Sequence, residues 1–460
     1  MTATPEHFSP RRGPGHLRSG HVRPILVLAV PLIGGHLAQF AVGLTDTVML
    51  GWYGVEALAA LTLAHSYHFT LFIMGSGFAW AVMPVVAAAA GTDDDTQVRR
   101  VTRMGMWISI LFGLAVLPLF LWSGAALRLL GQEAQVSADA QTYLRIVYIG
   151  LIPSLLMMVL KSYFAALGKT QVVFWVMAGS AVLNALLNYA LIFGNWGAPE
   201  LGIRGAAIAS VTLQTVGLAA LIAYAQVATP DYSLFQRLWR PDGEAFARVF
   251  RLGWPIGLTN LAEVGLFAAS AFMMGWVGTL ELAAHGIAIT LASATFMIHL
   301  GLSNAATIRA GRAYGRRAED ELRGGAVVII VISMVLALLT VAAFLAVPEP
   351  LISLFLDPAD PARAQILAVG AGLLAAAALF QFADAAQVMA LGLLRGVQDT
   401  RVPMIYAGLS YWAIGIPAGY LLGFPMGFGA VGIWMGLVVG LVLAGALLMW
   451  RFWRGSVRIG

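Results

Sequence analysis

Long apolar runs dominate the sequence and limit what the chain can fold into. A helix that crosses a membrane takes roughly 20 mainly apolar residues, and twelve runs of that kind are present. The first half holds residues 25–50, 58–90, 101–123, 143–167, 172–194 and 203–226, and the second half holds residues 252–276, 282–307, 326–347, 366–394, 402–423 and 428–450. We therefore expect an all-α integral membrane protein with twelve transmembrane helices.

The charged content excludes several classes of protein. Only 11% of the 460 residues are charged and 60% are hydrophobic, whereas about a quarter of the residues in soluble domains are charged. A soluble enzyme, a disordered chain and a nucleic-acid-binding protein are therefore excluded. The chain has no cysteine, so disulfides and thiolate metal sites are excluded as well.

Basic residues fall unevenly on the two sides of the predicted membrane region. Most of the 27 Lys and Arg residues, Arg395 among them, lie in the tails and in the loops of one side, while the loops of the other side hold Arg128, Arg204 and Arg363. Because loops rich in Lys and Arg stay in the cytoplasm, we expect a multi-pass protein of the cell inner (cytoplasmic) membrane with both termini cytoplasmic. The expected order is a cytoplasmic tail at 1–24, a bundle at 25–226, a cytoplasmic linker at 227–251, a bundle at 252–450 and a cytoplasmic tail at 451–460.

The two halves of the sequence repeat each other. The first and seventh spans match at Pro31 and Pro255, Met49 and Met273, Gly51-Trp52 and Gly275-Trp276, and Gly54 and Gly278, and a fainter match pairs Gly202 and Gly205 with Gly429 and Gly432. Each half holds six spans, an even number, so both halves enter the membrane the same way up. The pattern predicts two six-helix bundles related as a parallel repeat, which is typical of transporters. Pro31 and Pro255 each remove a helical hydrogen bond and are hinge candidates.

Three acids lie inside the predicted spans: Asp46, Glu263 and Asp384. A carboxylate at the centre of a membrane helix costs roughly 2.5–3.5 kcal/mol or more, so each is a candidate functional residue. The repeat strengthens this interpretation, because Asp46 aligns with Ser270 and Glu263 aligns with Gln39, so the fold itself demands neither acid. Such a group could carry a proton, or it could bind a hard cation such as Na+ together with neutral oxygens.

Polar side chains accompany these acids on the expected helix faces, and four are candidate supporting residues: Asn184, Asn188, Asn260 and Gln381. Asn184 and Asn188 share one face of the fifth span, where they could bond to Asp46 or could simply join two helices. Each acid could also merely satisfy a buried cation or backbone group. Lys161 in the fourth span is a candidate for such a cation, unless it reaches the membrane surface.

The sequence lacks the motifs of an ATP-driven pump or a membrane hydrolase. Gly-x-x-x-x-Gly-Lys-Ser/Thr, His-Glu-x-x-His and Gly-x-Ser-x-Gly are all absent. We therefore expect no enzymatic activity and no cofactor. Transport by such a chain would take its energy from an ion gradient.

Several short motifs together resemble a known transporter family. They are Thr45-Asp46-Thr47-Val48-Met49-Leu50-Gly51, Met83-Pro84-Val85-Val86, Pro255-Ile256-Gly257 followed by Glu263, Ala283-Ala284-His285, Ile308-Arg309-Ala310-Gly311, and Asp384-Ala385-Ala386-Gln387-Val388 leading to Leu394-Arg395-Gly396. Over residues 25–450 the chain is similar to the MATE (multidrug and toxic compound extrusion) transporters, and holding both Glu263 and Asp384 resembles their NorM-like branch. It departs from that pattern at Phe380, where NorM-type members often have tyrosine, and at Ala88, where the family has glutamine.

The resemblance implies a mode of action. MATE transporters consist of two six-helix bundles and export organic cations and amphipathic drugs in exchange for Na+ or H+ by alternating access. By motif match, Glu263 and Asp384 would form the cation site of the second bundle and would be the candidate ligands of Na+. Asp46, with Asn184 and Asn188, would form the polar cluster of the first bundle.

We therefore expect a secondary active multidrug efflux antiporter that works as a monomer in the lipid bilayer. Its expected partners are organic cations, amphipathic drugs and either Na+ or H+, with the choice of coupling ion left open. One alternative is a lipid-linked sugar flippase of the same superfamily, which would have a lateral groove lined by cations. An alternative from a different class is a membrane receptor or scaffold that transports nothing.

Overall fold

The structure, a computed structural model, describes residues 14–359 and 361–459, and helices account for most of them. Twelve helices are long and apolar enough to cross a membrane: α1 (Pro14–Tyr53), α2 (Val55–Ala90), α3 (Asp95–Leu121), α4 (Ala134–Ala166), α5 (Thr170–Phe193), α6 (Ile203–Ala228), α7 (Gly243–Val277), α8 (Thr279–Gly315), α9 (Glu319–Ala346), α10 (Arg363–Gly396), α11 (Arg401–Gly423) and α12 (Gly429–Arg451). The predicted number of spans is confirmed, and the chain is a multi-pass membrane protein.

Several helices extend beyond the apolar runs that predicted them. α1 begins at Pro14, inside the tail expected at residues 1–24, because proline is well tolerated in the first turn of a helix. Residues 1–13 of that tail lie outside the described residues. The segment between α6 and α7 is shorter than the linker expected at residues 227–251, since α6 continues to Ala228 and α7 starts at Gly243. Asp242 caps α7, accepting a hydrogen bond from the backbone N–H of Ala245 at 3.0 Å.

The repeat found in the sequence has a counterpart at the helix boundaries. Gly54 alone separates α1 from α2, and Gly278 alone separates α7 from α8, each with an extended backbone and a φ of 169°. The fainter match has a counterpart too, because Gly202 and Gly429, at the starts of α6 and α12, have φ values of +52° and +54°. Only glycine adopts that backbone region readily. The two halves therefore interrupt their helices at corresponding positions.

Helices pack in the same pattern in the two halves. In the first bundle (α1–α6), α1 packs on α5, α2 packs on α4, and α6 packs on α4 and α5. In the second bundle (α7–α12), α7 packs on α11, α8 packs on α10, and α12 packs on α10 and α11. The bundles meet where α1 and α2 contact α7 and α8. The fold is therefore two six-helix bundles related by the internal repeat, as predicted.

Small residues bring the bundles into contact in the half of the molecule nearer the basic loops. Gly77 of α2 lies against Gly253 and Gly257 of α7, and a side chain on Gly77 would meet their backbone atoms. Gly253 and Gly257 form a Gly-x-x-x-Gly pair, a spacing that lets membrane helices approach closely. Nearby, Gly301 of α8 lies against Ile33 of α1. We call these five residues the basic-end interface.

Candidate ion and substrate site

Glu263 of α7 and Asp384 of α10 come together inside the second bundle. Their carboxyl groups are close enough to interact electrostatically. Asp384 is 1% exposed, and among the described residues neither of its oxygens has a hydrogen-bond partner. Glu263 Oε1 is also buried and finds no partner in that part of the chain. Because a buried charge without a partner is strongly unfavourable, the two acids require a bound proton or cation.

Amide and hydroxyl groups of three helices surround the two acids. Gln387 Nε2 of α10 donates a hydrogen bond to the hydroxyl oxygen of Tyr411 of α11 at 2.6 Å, and the Thr295 hydroxyl of α8 donates to Gln381 Oε1 at 3.1 Å. Within residues 14–359 and 361–459, Gln387 Oε1 and Gln381 Nε2 remain buried without partners. A free amide oxygen can ligate a hard cation, and a free amide N–H can donate to a carboxylate. The surroundings of the acids are therefore suited to a small cation.

Tyr411 is a site residue that sequence reasoning missed. It lies in the segment Leu409–Gly415, where α11 forms a π-helical turn, and its side chain is fully buried. Such turns are rare and frequently lie at functional sites. Tyr411 interacts electrostatically with both Glu263 and Asp384, so it supplies the hydroxyl that Phe380 lacks. A tyrosine in an apolar run gave no signal that could have distinguished it.

Arg395 was expected in a loop, and the structure corrects this assignment. It lies in the last turn of α10, where its guanidinium donates to Asn260 Oδ1 of α7 at 2.8 Å. The guanidinium carbon also lies 5.0 Å from the ring centroid of Trp80, which belongs to α2 of the first bundle. Arg395 therefore links the two bundles beside Glu263, with which it interacts electrostatically. The motif Leu394-Arg395-Gly396 was the one sequence signal for this residue.

A cavity of about 220 Å³ lies beside Asp384, with walls from both bundles. Phe69 of α2, Phe267 of α7, Phe296 of α8 and Phe380 of α10 contribute aromatic rings to the walls. Ring faces attract organic cations, and a carboxylate supplies the opposite charge. The cavity is therefore suited to a ligand that is cationic and otherwise largely apolar.

In the first bundle, Asp46 of α1 meets the two amides expected near it on α5. Asn184 Nδ2 and Asn188 Nδ2 donate hydrogen bonds to Asp46 Oδ1 at 2.7 and 2.6 Å, and both asparagines are fully buried. Among the described residues, the side-chain oxygens of both asparagines stay without partners. Asp46 is thus held by neutral donors, which distinguishes it from Asp384.

Lys161 of α4 bonds to an amide and not to one of the three acids. Its ammonium group donates to Gln39 Oε1 of α1 at 3.1 Å. One turn earlier on α1, His36 Nε2 contacts Asn304 Nδ2 of α8 at 2.8 Å, across the boundary between the bundles. The polar residues of α1 therefore make separate contacts along the helix, with Asp46 nearest the end opposite the basic loops.

The two hinge candidates lie within unbroken helices. Pro31 is inside α1 and Pro255 is inside α7. The Thr259 hydroxyl donates to the carbonyl oxygen of Pro255 at 2.8 Å, which satisfies a group close to the helical hydrogen bond that proline removes. Bending at these positions stays a prediction.

The candidate Na+ ligands differ from those of a transition-metal site. In the part of the chain that the structure describes, His, Asp and Glu side chains do not gather in groups of three. Na+ prefers oxygen ligands, and Glu263, Asp384, Gln387 and Tyr411 place carboxyl, amide and hydroxyl oxygens in one region. These residues could therefore hold a hard cation.

A family model and curated relatives match most of the chain. The MatE family model matches residues 31–190 and 255–421, one segment in each half. A protein of Agrobacterium fabrum named probable multidrug resistance protein NorM is 45% identical over 434 residues, covering 94% of this chain and 93% of the relative. A protein of Rhizobium meliloti with the same name is 44% identical over 436 residues, with coverage of 94% and 93%.

Solved structures share the fold at lower identity. The eukaryotic MATE transporter AtDTX14 superposes with a TM-score of 0.84 at 20% identity, covering 96% of this chain and 98% of that chain. The Vibrio cholerae MATE transporter VcmN superposes with a TM-score of 0.87 at 19% identity, covering 95% and 98%. At these identities the structures support the fold alone, whereas the family model and the relatives confirm the resemblance inferred from the motifs. The chain belongs to the MatE family of transporters.

Proposed function

We propose that the chain is a secondary active multidrug antiporter that exports organic cations in exchange for Na+ or H+ by alternating access. Relatives at 45% and 44% identity are named for multidrug resistance, which supports the choice of substrate class. The aromatic cavity beside a carboxyl group supports it independently.

Asp384 is the observation that carries the proposal. Its carboxyl group is 1% exposed, has no hydrogen-bond partner among the described residues, and forms part of the cavity wall. A carboxylate in these surroundings needs a counter-charge, which either a cationic drug or a small cation can supply. Because one carboxylate cannot be fully neutralised by both ligands at once, each ligand weakens the binding of the other.

This competition couples the two fluxes. Coupling requires that drug and ion differ in their affinity for the two facings of the transporter, since a ligand that binds both facings equally shifts nothing. An ion that binds Glu263 and Asp384 from outside therefore favours release of the drug there. Asp46, with Asn184 and Asn188, is a second candidate for carrying a proton or ion.

We infer that the basic end lies in the cytoplasm and that both termini do so too, in the inner membrane. With that orientation the basic-end interface closes the cytoplasmic side, and the chain is in an outward-facing form. Bending of α1 and α7 at Pro31 and Pro255 would help to open the opposite side. One chain supplies both bundles and the cavity between them, so we expect a monomer.

A lipid-linked sugar flippase would need a cationic cavity for its phosphate groups. The residues that line the cavity are apolar or aromatic apart from Ser293 and Asp384. This lining favours a cationic substrate over an anionic one.

Dye efflux from membrane vesicles, with the Na+ and pH gradients imposed separately, tests the proposal. We expect efflux of ethidium to stop when one of the two gradients is collapsed, which also identifies the coupling ion. Glu263→Gln keeps the shape of the side chain but removes its charge, and it should abolish gradient-driven efflux.

Glu349→Gln is the matched control, because Glu349 is exposed in the short helix Pro348–Ser353. It should transport as the parent does. Gradient-driven efflux at the parent rate from vesicles containing Glu263→Gln would contradict the proposed site.

A further inference from the structure

Arg395 is a permanent cation placed next to an acid that it does not neutralise. Its hydrogen bond goes to Asn260, one turn before Glu263 on α7. Glu263 Oε1 meanwhile has no partner among residues 14–359 and 361–459. An arginine so near a carboxylate would ordinarily form a bidentate pair with it, so the contacts on Asn260 and Trp80 hold the guanidinium back.

The contact with Trp80 depends on how the bundles are arranged. Trp80 lies on α2, one turn beyond Gly77, where α2 packs on Gly253 and Gly257 of α7. Arg395 lies on α10 of the second bundle, and its guanidinium is 5.0 Å from the Trp80 ring centroid. Opening of the basic-end interface would carry Trp80 away from Arg395, because the two residues belong to different bundles.

We propose that Arg395 is a positioning residue that displaces the coupling cation from Glu263 when the basic end opens. With the basic end closed, Trp80 and Asn260 hold the guanidinium and leave Glu263 to the ion. With the basic end open, the guanidinium loses its stacking partner and pairs with Glu263. The ion is then released on that side, where the drug enters the cavity.

The electrostatics of the site favour such an exchange. Glu263, Asp384 and Tyr411 face the guanidinium region, so a cation that leaves Glu263 must be replaced by another positive charge or by a proton. Two cations on one carboxylate repel each other at close range in a medium of low dielectric constant. Arg395 can replace the ion without entering from solution, since its charge is permanent.

A purely structural role would have a different signature. If Arg395 only tied α10 to α7, its removal would loosen the site and lower the affinity for the ion. If Arg395 competes with the ion, its removal raises that affinity. The sign of the change therefore distinguishes the two roles.

Displacement of tetraphenylphosphonium from the purified chain in nanodiscs tests this inference, which rests on the proposed function. Na+ is titrated at fixed pH, and H+ is titrated without Na+. The readout is the cation concentration that displaces half of the dye, corrected for each variant's own affinity for the dye. Arg395→Gln should lower this concentration about tenfold, as expected for loss of a nearby competing charge.

Trp80→Leu should have the opposite effect. It removes the ring that holds Arg395 back, so more ion should be needed to displace the dye. Arg395→Lys keeps the charge but loses the planar fork and the stacking, and it should behave in the same direction. In the Arg395→Gln background, Trp80→Leu should have no further effect, because the group that Trp80 restrains is gone.

Two control variants lie outside the site. Arg401→Gln alters an exposed arginine at the start of α11, and Trp175→Leu alters a tryptophan of α5 that is 68% exposed. Both should match the parent protein.

The outcomes separate this inference from the proposed function. Ion displacement that persists unchanged in Glu263→Gln, or that is absent from the parent, would overturn the proposed site and the inference with it. Loss of displacement in Glu263→Gln, together with unchanged or weakened ion affinity in Arg395→Gln, would overturn the inference alone.

Discussion

The carboxyl group of Asp384 is buried in apolar surroundings without a neighbouring donor to stabilise its charge. Asp46 differs, because Asn184 and Asn188 each donate a hydrogen bond to it at 2.7 and 2.6 Å. A carboxylate already stabilised by two amides gains less from a bound cation than one with free oxygens. At the residue scale, the second bundle is therefore the better candidate for exchange between ion and drug.

Tyr411→Phe tests the hydroxyl that sequence reasoning missed. The substitution removes the acceptor for Gln387 Nε2 and leaves that buried donor unsatisfied. We expect a loss of roughly 1 kcal/mol in stability, measured by thermal unfolding in detergent, and weaker displacement of dye by the coupling ion.

Tyr420→Phe is its control, because Tyr420 lies later on α11 and is 48% exposed. This control should change neither quantity. If Tyr411→Phe also matched the parent in both, Tyr411 would have no part in the site.

The acids of the site could be predicted from the sequence, and their partners could not. A charged residue inside an apolar run is conspicuous because it is costly, so Asp46, Glu263 and Asp384 were identified directly. Arg395 follows an apolar run immediately and was indistinguishable from a loop arginine. Which way it turns depends on Trp80 and Asn260, whose positions are set by packing between distant helices.

At the element scale, apolar runs predicted the number of helices but not their ends. The polar turns that lengthen α1 and α7 carry no apolar signal, and they form because caps and first-turn residues permit helix there. The single-residue breaks at Gly54 and Gly278 were marked in the sequence by the repeat. The π-helical turn at Leu409–Gly415 had no sequence signal, because it depends on tertiary contacts of Tyr411.

Gly257→Ala tests whether the close approach of α2 and α7 keeps the basic end closed. A methyl group there would meet the backbone carbonyl oxygen of Met74, so α2 must move away from α7. We expect the basic end to open more often. The chain has no cysteine of its own, so Ile33→Cys provides a single labelling site in the basic-end interface. Maleimide labelling of this site should become several-fold faster.

Gly275→Ala on the same helix is the matched control. A methyl group at that position would have only the Leu282 side chain nearby, at 3.9 Å. Labelling should stay at the parent rate in this variant. An equal labelling rate for Gly257→Ala and Gly275→Ala would show that the Gly257 contact does not control the closure.

At the scale of the whole molecule, ionic and polar contacts strap the segment between the bundles onto α3. Arg100 pairs with Asp242 and Glu244 at the start of α7. Arg103 donates to the Leu234 carbonyl oxygen at 2.9 Å, and Trp107 donates to the Leu238 carbonyl oxygen at 2.7 Å. These contacts connect the two bundles at the same end as the basic-end interface.

Asp242→Asn tests the charged part of this connection and predicts a pH dependence. The Arg100 guanidinium holds the pKa of Asp242 below its usual range. A carboxyl group with a lowered pKa stabilises the fold above its ordinary pKa of about 4, and this contribution is lost as the pH falls through the lowered value. The parent should therefore melt at a higher temperature than Asp242→Asn at pH 7, and the difference should vanish in strong acid.

Asparagine at position 242 can still cap α7, so the comparison isolates the charge. Asp231→Asn, which changes an exposed acid of the same segment, should melt like the parent at both pH values. A difference between the parent and Asp242→Asn that persisted in strong acid would rule out the ion pair as its source.

The most direct test of exchange at the second-bundle acids is cation movement driven by a drug gradient. Proteoliposomes that contain the purified chain alone would be loaded with tetraphenylphosphonium, and entry of ²²Na+ and of protons would be followed as the dye leaves. The parent should move Na+ or H+ inward in step with dye efflux, and Asp384→Asn should uncouple or abolish both movements. Dye efflux by the parent without cation entry, or coupled exchange by Asp384→Asn at the parent rate, would contradict exchange at these acids.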